Sequence, residues 1–303
     1  MPLNQVHARL VPILAFAGVV LSFALCIGAA AAGLAGGGAG PELRARYDEL
    51  QQKLARNAYG KPLYLVSREE GHLLRGDVHA VVDAPLATAE AGFAEAASWC
   101  HVLILPFNTK HCIAGGNGSA LTVRIGRKSD QPPEDAYKIE FRYRVVARTP
   151  DYFRISLKAD SGPVGTRDYE ITLEAVPIDK ERTFIHLSYA YGFGTMSRLA
   201  MQAYLATAGR DKIGFTVVGK DGNGTPVHVG GMLGATERNT MRYYLAIEAY
   251  LNSLSAPPEA RVQKRLSEWF AATERYPRQL HEMDRAQYLA MKTRETSRIG
   301  ASL

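Results

Sequence analysis

The stretch Tyr137-Lys-Ile-Glu-Phe-Arg-Tyr-Arg-Val145 decides the fold. Tyr137, Ile139, Phe141, Tyr143 and Val145 fall on one side of an extended chain, and Lys138, Glu140, Arg142 and Arg144 on the other. Side chains of a strand point to opposite faces with period two, so the segment predicts a strand with one packed and one wet face. Working outward, turn chemistry at Thr149-Pro-Asp151, Ser161-Gly-Pro163 and Pro177-Ile-Asp179 separates further strands at 152–159, 169–176 and 183–191. Upstream, strands are expected at 63–67, 73–82, 110–114 and 121–127. A sheet with one aromatic face needs a cover, or it becomes the wall of a pocket.

Helices follow from the 3.6-residue period. Leu43, Tyr47, Leu50 and Leu54 predict a lead-in helix within 41–60, and Pro85 starts another running to about residue 97, with Trp99 near its end. After Gly194 the spacing of Met196, Leu199, Ala200, Ala203 and Tyr204 marks a helix, and a hairpin follows around Asp221-Gly-Asn-Gly224. Thr236 is placed to cap a long helix to residue 254 carrying Met241, Tyr244, Ile247 and Leu251 on one side. Pro257-Pro258 ends it, and 259–303 reads as a tail of two amphipathic helices containing Trp269 and Phe270.

The order of strand, helix, antiparallel meander and long closing helix is that of an α+β helix-grip fold, a curved sheet wrapped around one helix. The chain resembles the START-like (SRPBCC) superfamily, through Gly76-Asp-Val-His-Ala-Val-Val-Asp-Ala-Pro85, the helix running to Trp99, and the 236–254 helix. The resemblance covers about 61–256; the 192–235 segment and the tail depart from it. It implies noncovalent binding of an apolar, lipid-like molecule, with cyclase-like enzymes as a minority. On that basis Trp99, Tyr143, Phe153, Tyr169, Tyr189, Tyr191, Tyr243, Tyr244 and Ile247 are candidate pocket-lining residues. Arg238 and Arg242 are candidates for holding an anionic head group.

The N-terminus bears on location. His7 and Arg9 precede an uncharged run over 10–35 with small residues at its end, so 1–36 is expected to be a secretory signal or an uncleaved anchor. Periplasmic or secreted residence, with a membrane tether through 10–35 as the variant, follows from either. In an oxidising compartment Cys100 and Cys112 form a candidate disulfide. Free buried thiols, or a metal held by Cys100-His101 and His111-Cys112, are the alternatives. The net charge of +6 lacks a basic cluster, so no nucleic acid is expected. No cofactor or catalytic motif is present: Gly-x-Ser-x-Gly, His-Glu-x-x-His and the dinucleotide fingerprint are absent from the sequence. Three functions remain open: a ligand carrier, an envelope scaffold whose Trp269/Phe270 tail docks a partner or membrane, and an enzyme using His186 or a pocket tyrosine.

Overall fold

The computed structural model describes residues 38–207 and 209–300. The chain divides into Met1–Gly36 and Gly37–Leu303, and the expected leader therefore lies outside the described residues.

The second unit runs α1 (Ala39–Ala55), β1 (Leu63–Glu70), β2 (Leu73–Val82), α2 (Leu86–Phe93), α3 (Ala96–Leu103), β3 (Thr109–Gly115), β4 (Ala120–Ile125), β5 (Tyr137–Thr149), β6 (Tyr152–Ser161), β7 (Arg167–Pro177) and β8 (Thr183–Gly192). Then follow α4 (Thr195–Ala206), the hairpin β9 (Val217–Lys220) and β10 (Pro226–His228), α5 (Gly231–Ser253), α6 (Arg261–Glu274), α7 (Pro277–Leu280) and α8 (Arg285–Gly300). Eight strands form one sheet in the order β1-β2-β8-β7-β6-β5-β4-β3, every neighbouring pair antiparallel. The α+β helix-grip arrangement is thus present: α5 packs against β1, β2 and β8 on the inner face.

Gly76 fixes how closely that helix approaches. A Cβ there would stand 2.2 Å from Thr240 Oγ1, so only a bare backbone lets β2 and α5 meet. The helix begins at Gly231, five residues before the expected cap, and Thr236 Oγ1 instead donates to Met232 O inside it.

The helix expected from Pro85 is two helices. Glu95 is extended, and the carbonyls that would have continued α2 accept from tertiary partners: Tyr250 OH donates to Gly92 O at 2.9 Å and Tyr143 OH to Phe93 O at 2.6 Å. Two tyrosine hydroxyls replace helical N–H groups, so the break leaves neither carbonyl unpaired. Cys100 of α3 and Cys112 of β3 are joined by a disulfide, with Cα atoms 5.2 Å apart, fixing α3 to the sheet. With both sulfurs bonded to each other they ligate no metal.

Alternation in β5 holds from Ile139 through Tyr143 and fails at both ends. Tyr137 is 59 % exposed at the strand start, and a bulge between Val145 and Ala147 leaves Val145 and Val146 exposed as well. The tail does not present aromatics outward. Trp269, Phe270 and Tyr288 are buried in the main core, Tyr288 stacked on Trp269 and tilted against Phe270, with Phe107 meeting Trp269 and Tyr288 edge-on, all at centroid distances of 5.0–5.3 Å, and Trp269 Nε1 donates to Arg242 O. Those rings fill the core and are not presented on the surface of the tail. A second, smaller cluster lies on the sheet's outer face, where Leu43, Leu50 and Leu54 of α1 meet Tyr152, Val176 and Phe184. No helix among the described residues is long and apolar enough to cross a membrane.

Candidate functional site

A cavity of about 290 Å³ lies between the inner face of the sheet and α5. One wall is Val123 and Ile125 of β4 with Ile139 and Phe141 of β5; a second is Tyr169, Tyr189 and Tyr191 of β7 and β8. Tyr243, Arg242 and Asn239 of α5 close a third side. Ser197, Ala200, Met201 and Tyr204 of α4 and the Pro163-Val164 turn lie across the remaining side. The three sheet tyrosines stand on one face because their positions differ by two along β8 and because β7 is in register with it, Ile171 facing Tyr189. Their rings pack with centroids 5.5–6.4 Å apart, Tyr169 stacking on Tyr191, and Tyr243 leans on Tyr189 at 5.2 Å.

Of the expected lining residues, Tyr169, Tyr189, Tyr191 and Tyr243 border this cavity; Trp99, Tyr143, Phe153, Tyr244 and Ile247 do not. The physical reason is which end of the sheet they occupy. Phe153 lies at the start of β6, which α2 covers, and Tyr143 and Trp99 pack at the same end against Phe93. Tyr244 is the helical neighbour of Tyr243 and so points about 100° away. It faces Lys61 and donates to Glu248 Oε1 at 3.3 Å. Ile247 is wholly within the core.

The two arginines also separate. Arg242 borders the cavity, and its NH2 donates to Glu282 Oε1 at 2.6 Å. Lys128 Nζ meets the same oxygen at 2.7 Å, and Lys212 stands 3.6 Å from Oε2. Burial alone would raise the Glu282 carboxyl, but Arg242, Lys128 and Lys212 outweigh it and hold it below the ordinary value. Three cations therefore surround one carboxylate, and Arg242 Nε, itself shut from solvent, has no hydrogen-bond partner. Arg238 does not border the cavity; its NH1 donates to Ile213 O.

The residues missed from sequence are those of α4. Of the five residues whose spacing marks this helix, Met196 and Leu199 are 71 % and 62 % exposed, whereas Ala200 and Tyr204, with Ser197 and Met201, form the cavity side. Their i, i+3, i+4, i+7 spacing was the available signal, masked because the helix is apolar on most sides. Glu282 had no sequence signal at all.

The polar groups of this lining are the hydroxyls of Thr109, Thr166, Ser197 and five tyrosines, the amides of Asn108 and Asn239, and the Arg242 guanidinium; it contains no His, Cys, Asp, Glu or Lys. Burial pushes the Tyr243 phenol up to about 12 and Tyr169 and Tyr189 higher still, so all three remain protonated hydrogen-bond donors at neutral pH. His186 lies on the opposite sheet face, since it alternates with Ile185 and Leu187, and cannot act as a base here. No group of three or more His, Cys, Asp or Glu among the described residues is placed to hold a metal.

No protein-family model matches this sequence, nor does any curated protein. Among solved structures, a START superfamily protein from Mycobacterium smegmatis aligns at 14 % identity over 46 % of this chain and 93 % of that one, TM-score 0.29. Truncated norcoclaurine synthase from Thalictrum flavum aligns at 15 % identity over 47 % and 91 %, TM-score 0.31. A conserved protein from Geobacillus kaustophilus aligns at 13 % identity over 45 % and 86 %, TM-score 0.32. Such values place the chain in none of these proteins' families; the architecture stands on the strand order and the gripped helix themselves. By that architecture, an eight-stranded antiparallel sheet closed by α5 over an internal cavity, the chain has a START-like, helix-grip fold.

Proposed function

We propose that this chain is an exported binding protein that holds a small, largely apolar, lipid-like molecule with an anionic end, noncovalently, in the cavity between the sheet and α5. The observation that carries the reading is the cavity itself, apolar along its tyrosine and β-branched walls and bounded at one end by Arg242 with a hydrogen-bonding nitrogen unused. Tyrosine rings supply apolar area with a hydroxyl to orient a ligand, and a buried guanidinium with surplus positive charge around it favours a carboxylate. At about 290 Å³ the space is at the low end of ligand pockets, about 300–1,000 Å³. That size suits one chain or one ring system, so a diacyl lipid is a poorer fit. Export is supported by the disulfide, because such bridges persist in oxidising compartments.

Native mass spectrometry of the purified full chain tests the binding. A co-purifying apolar acid that is lost on Ala200→Phe, which narrows the cavity from α4, is the expected result. An empty protein that takes up no apolar acid from solution removes the proposal. Recovery from the cytosol with both cysteines reduced would remove the export part alone.

A further inference from the structure

The outer face of the sheet carries a second cleft, polar and about 470 Å³, between the strands and α1. Its floor is a row. Tyr64 faces His79, His79 faces His186, His186 faces Glu174, and Glu174 faces Arg154, on β1, β2, β8, β7 and β6. Five strands spaced about 4.8 Å make that row about 19 Å long. Glu42, Arg46 and Lys53 of α1 form the roof.

At the centre His186 holds two carboxylates at once, Nδ1 at 2.7 Å from Glu174 Oε1 and Nε2 at 2.9 Å from Asp77 Oδ1. Its ring lies flat on His79, centroids 4.2 Å apart and planes within 3°. Burial opposes a charge on His186, yet the two carboxylates outweigh it and raise its pKa. Burial and that neighbouring cation together push His79 down to about 3, leaving it neutral. Glu174 also accepts from Tyr152 OH, and Arg68 lies 3.4 Å from Asp77. These contacts engage both acids, but Asp77 Oδ2, an ion-pair partner of Arg68, has no hydrogen-bond partner. Arg154 faces Glu174 and its charge helps hold that carboxyl down; Lys53 and Arg46 stand against Glu42, the Arg46–Glu49 pair being largely exposed and so weak, and Lys53 lies over the Tyr64 ring.

This floor also leaves polar atoms unmatched. His79 is 9 % exposed, and its Nδ1 has no hydrogen-bond partner; neither has Arg154 Nε nor the nearby Ser156 Oγ. A buried polar atom without a partner destabilises the fold relative to a satisfied one. With Asp77 Oδ2, also in the floor, these make four unmatched atoms in or beside an open polar cleft, and an occupant that offers both acceptors and donors accounts for them. Arg154 is half-buried, and turning its guanidinium toward the cleft brings Nε to an occupant.

We propose that this cleft is a second binding site, for a small hydroxylated carboxylate such as a sugar acid, held by Arg154 and Lys53 with His79 bonding a hydroxyl. It is independent of the apolar cavity on the other sheet face. The carboxylates in the floor disfavour a dianion, which selects a single carboxylate over a phosphate.

Calorimetric titration of the full chain with gluconate, and separately with inorganic phosphate at matched ionic strength, tests it. Gluconate is expected to bind and to weaken about tenfold or more in both Arg154→Gln and Lys53→Gln, while Arg242→Met leaves it unchanged. Lys53 is an exposed residue of α1, so its variant keeps the test open even where Arg154→Gln fails to fold. Phosphate binding as tight as gluconate overturns the carboxylate assignment. No gluconate binding up to about 10 mM, or binding untouched by both variants, overturns the site.

Discussion

Lys292→Met should make this protein more stable at neutral pH, and the reason is legible in three side chains. Lys110 of β3 and Lys292 and Glu295 of α8 meet with essentially no exposure. Lys110 Nζ donates to Glu295 Oε1 at 3.0 Å and to Phe107 O at 2.9 Å; Lys292 Nζ donates to Glu295 Oε2 and Thr109 O, both at 2.7 Å. Two cations share one anion, so a net positive charge is buried. Burial, with Lys110 beside it, lowers the Lys292 pKa from 10.5 to about 8 despite the help of Glu295. An amine with a folded pKa below its unfolded one penalises folding wherever the unfolded chain is protonated, fully below the folded pKa and less as pH rises toward the unfolded one. A lowering of that size corresponds to about 3 kcal/mol, fully present below about pH 8 and fading as pH rises toward 10.5. Methionine removes the charge while keeping the volume, at the loss of the hydrogen bonds to Thr109 O and Glu295 Oε2, together worth about 1–2 kcal/mol. The net expectation is a gain of about 1–2 kcal/mol at pH 7, or about 3–6 °C in Tm, shrinking by pH 9.5. Glu295→Gln does the opposite, stranding two ammonium groups at a cost of about 3–5 kcal/mol. Urea unfolding at pH 7 and 9.5 without reductant, followed by the Trp99 and Trp269 fluorescence, reads both variants. A Lys292→Met protein less stable than the parent at pH 7, with no pH dependence in the difference, refutes the reasoning.

Other variants probe the frame. Tyr143→Phe and Tyr250→Phe each unpair a carbonyl at the end of α2 and should cost about 1–2 kcal/mol in denaturant unfolding, more than a surface Tyr137→Phe. Gly76→Ala should destabilise by about 1–3 kcal/mol, with part of the loss recovered in the Gly76→Ala/Thr240→Ala double variant, because the added Cβ collides with Thr240 Oγ1. His186 has its pKa raised by Asp77 and Glu174 against burial, so its contribution is complete below its unfolded pKa and is lost as pH climbs through the folded one. The stability difference between the parent and His186→Gln should therefore narrow from pH 6 toward pH 9; a difference that widens contradicts the double carboxylate clamp.

The sheet was readable because its physics is local. Alternation in β5 through β8 and the turn residues between them are set by neighbours one to four positions away, and Gly71 at φ +62 closes the β1–β2 hairpin between the strands expected at 63–67 and 73–82. The disulfide was readable on other grounds: an oxidising compartment makes Cys100 and Cys112, 12 residues apart, a candidate pair. What failed is decided by partners distant in sequence. The split of α2 from α3 depends on Tyr143 and Tyr250, 50 and 158 residues from the carbonyls they satisfy. Tyr243 and Tyr244 have equal claims on a cavity until the rotation of α5 is known, and that rotation follows from Gly76 admitting Thr240. Trp269 and Phe270 look like an exposed apolar edge until α6 is seen lying on α5. The ring of cations around Glu282 joins residues 128, 212 and 242, a grouping that no spacing rule announces.

The central claim, that the tyrosine-walled cavity takes an apolar molecule by its anionic end, is tested most directly by calorimetric titration with decanoate and with decanol, on the parent and on Arg242→Met. Decanoate should bind the parent more tightly than decanol and lose about tenfold in affinity in Arg242→Met, with decanol little changed. Absence of binding by both, or equal binding of acid and alcohol that ignores Arg242, would contradict it.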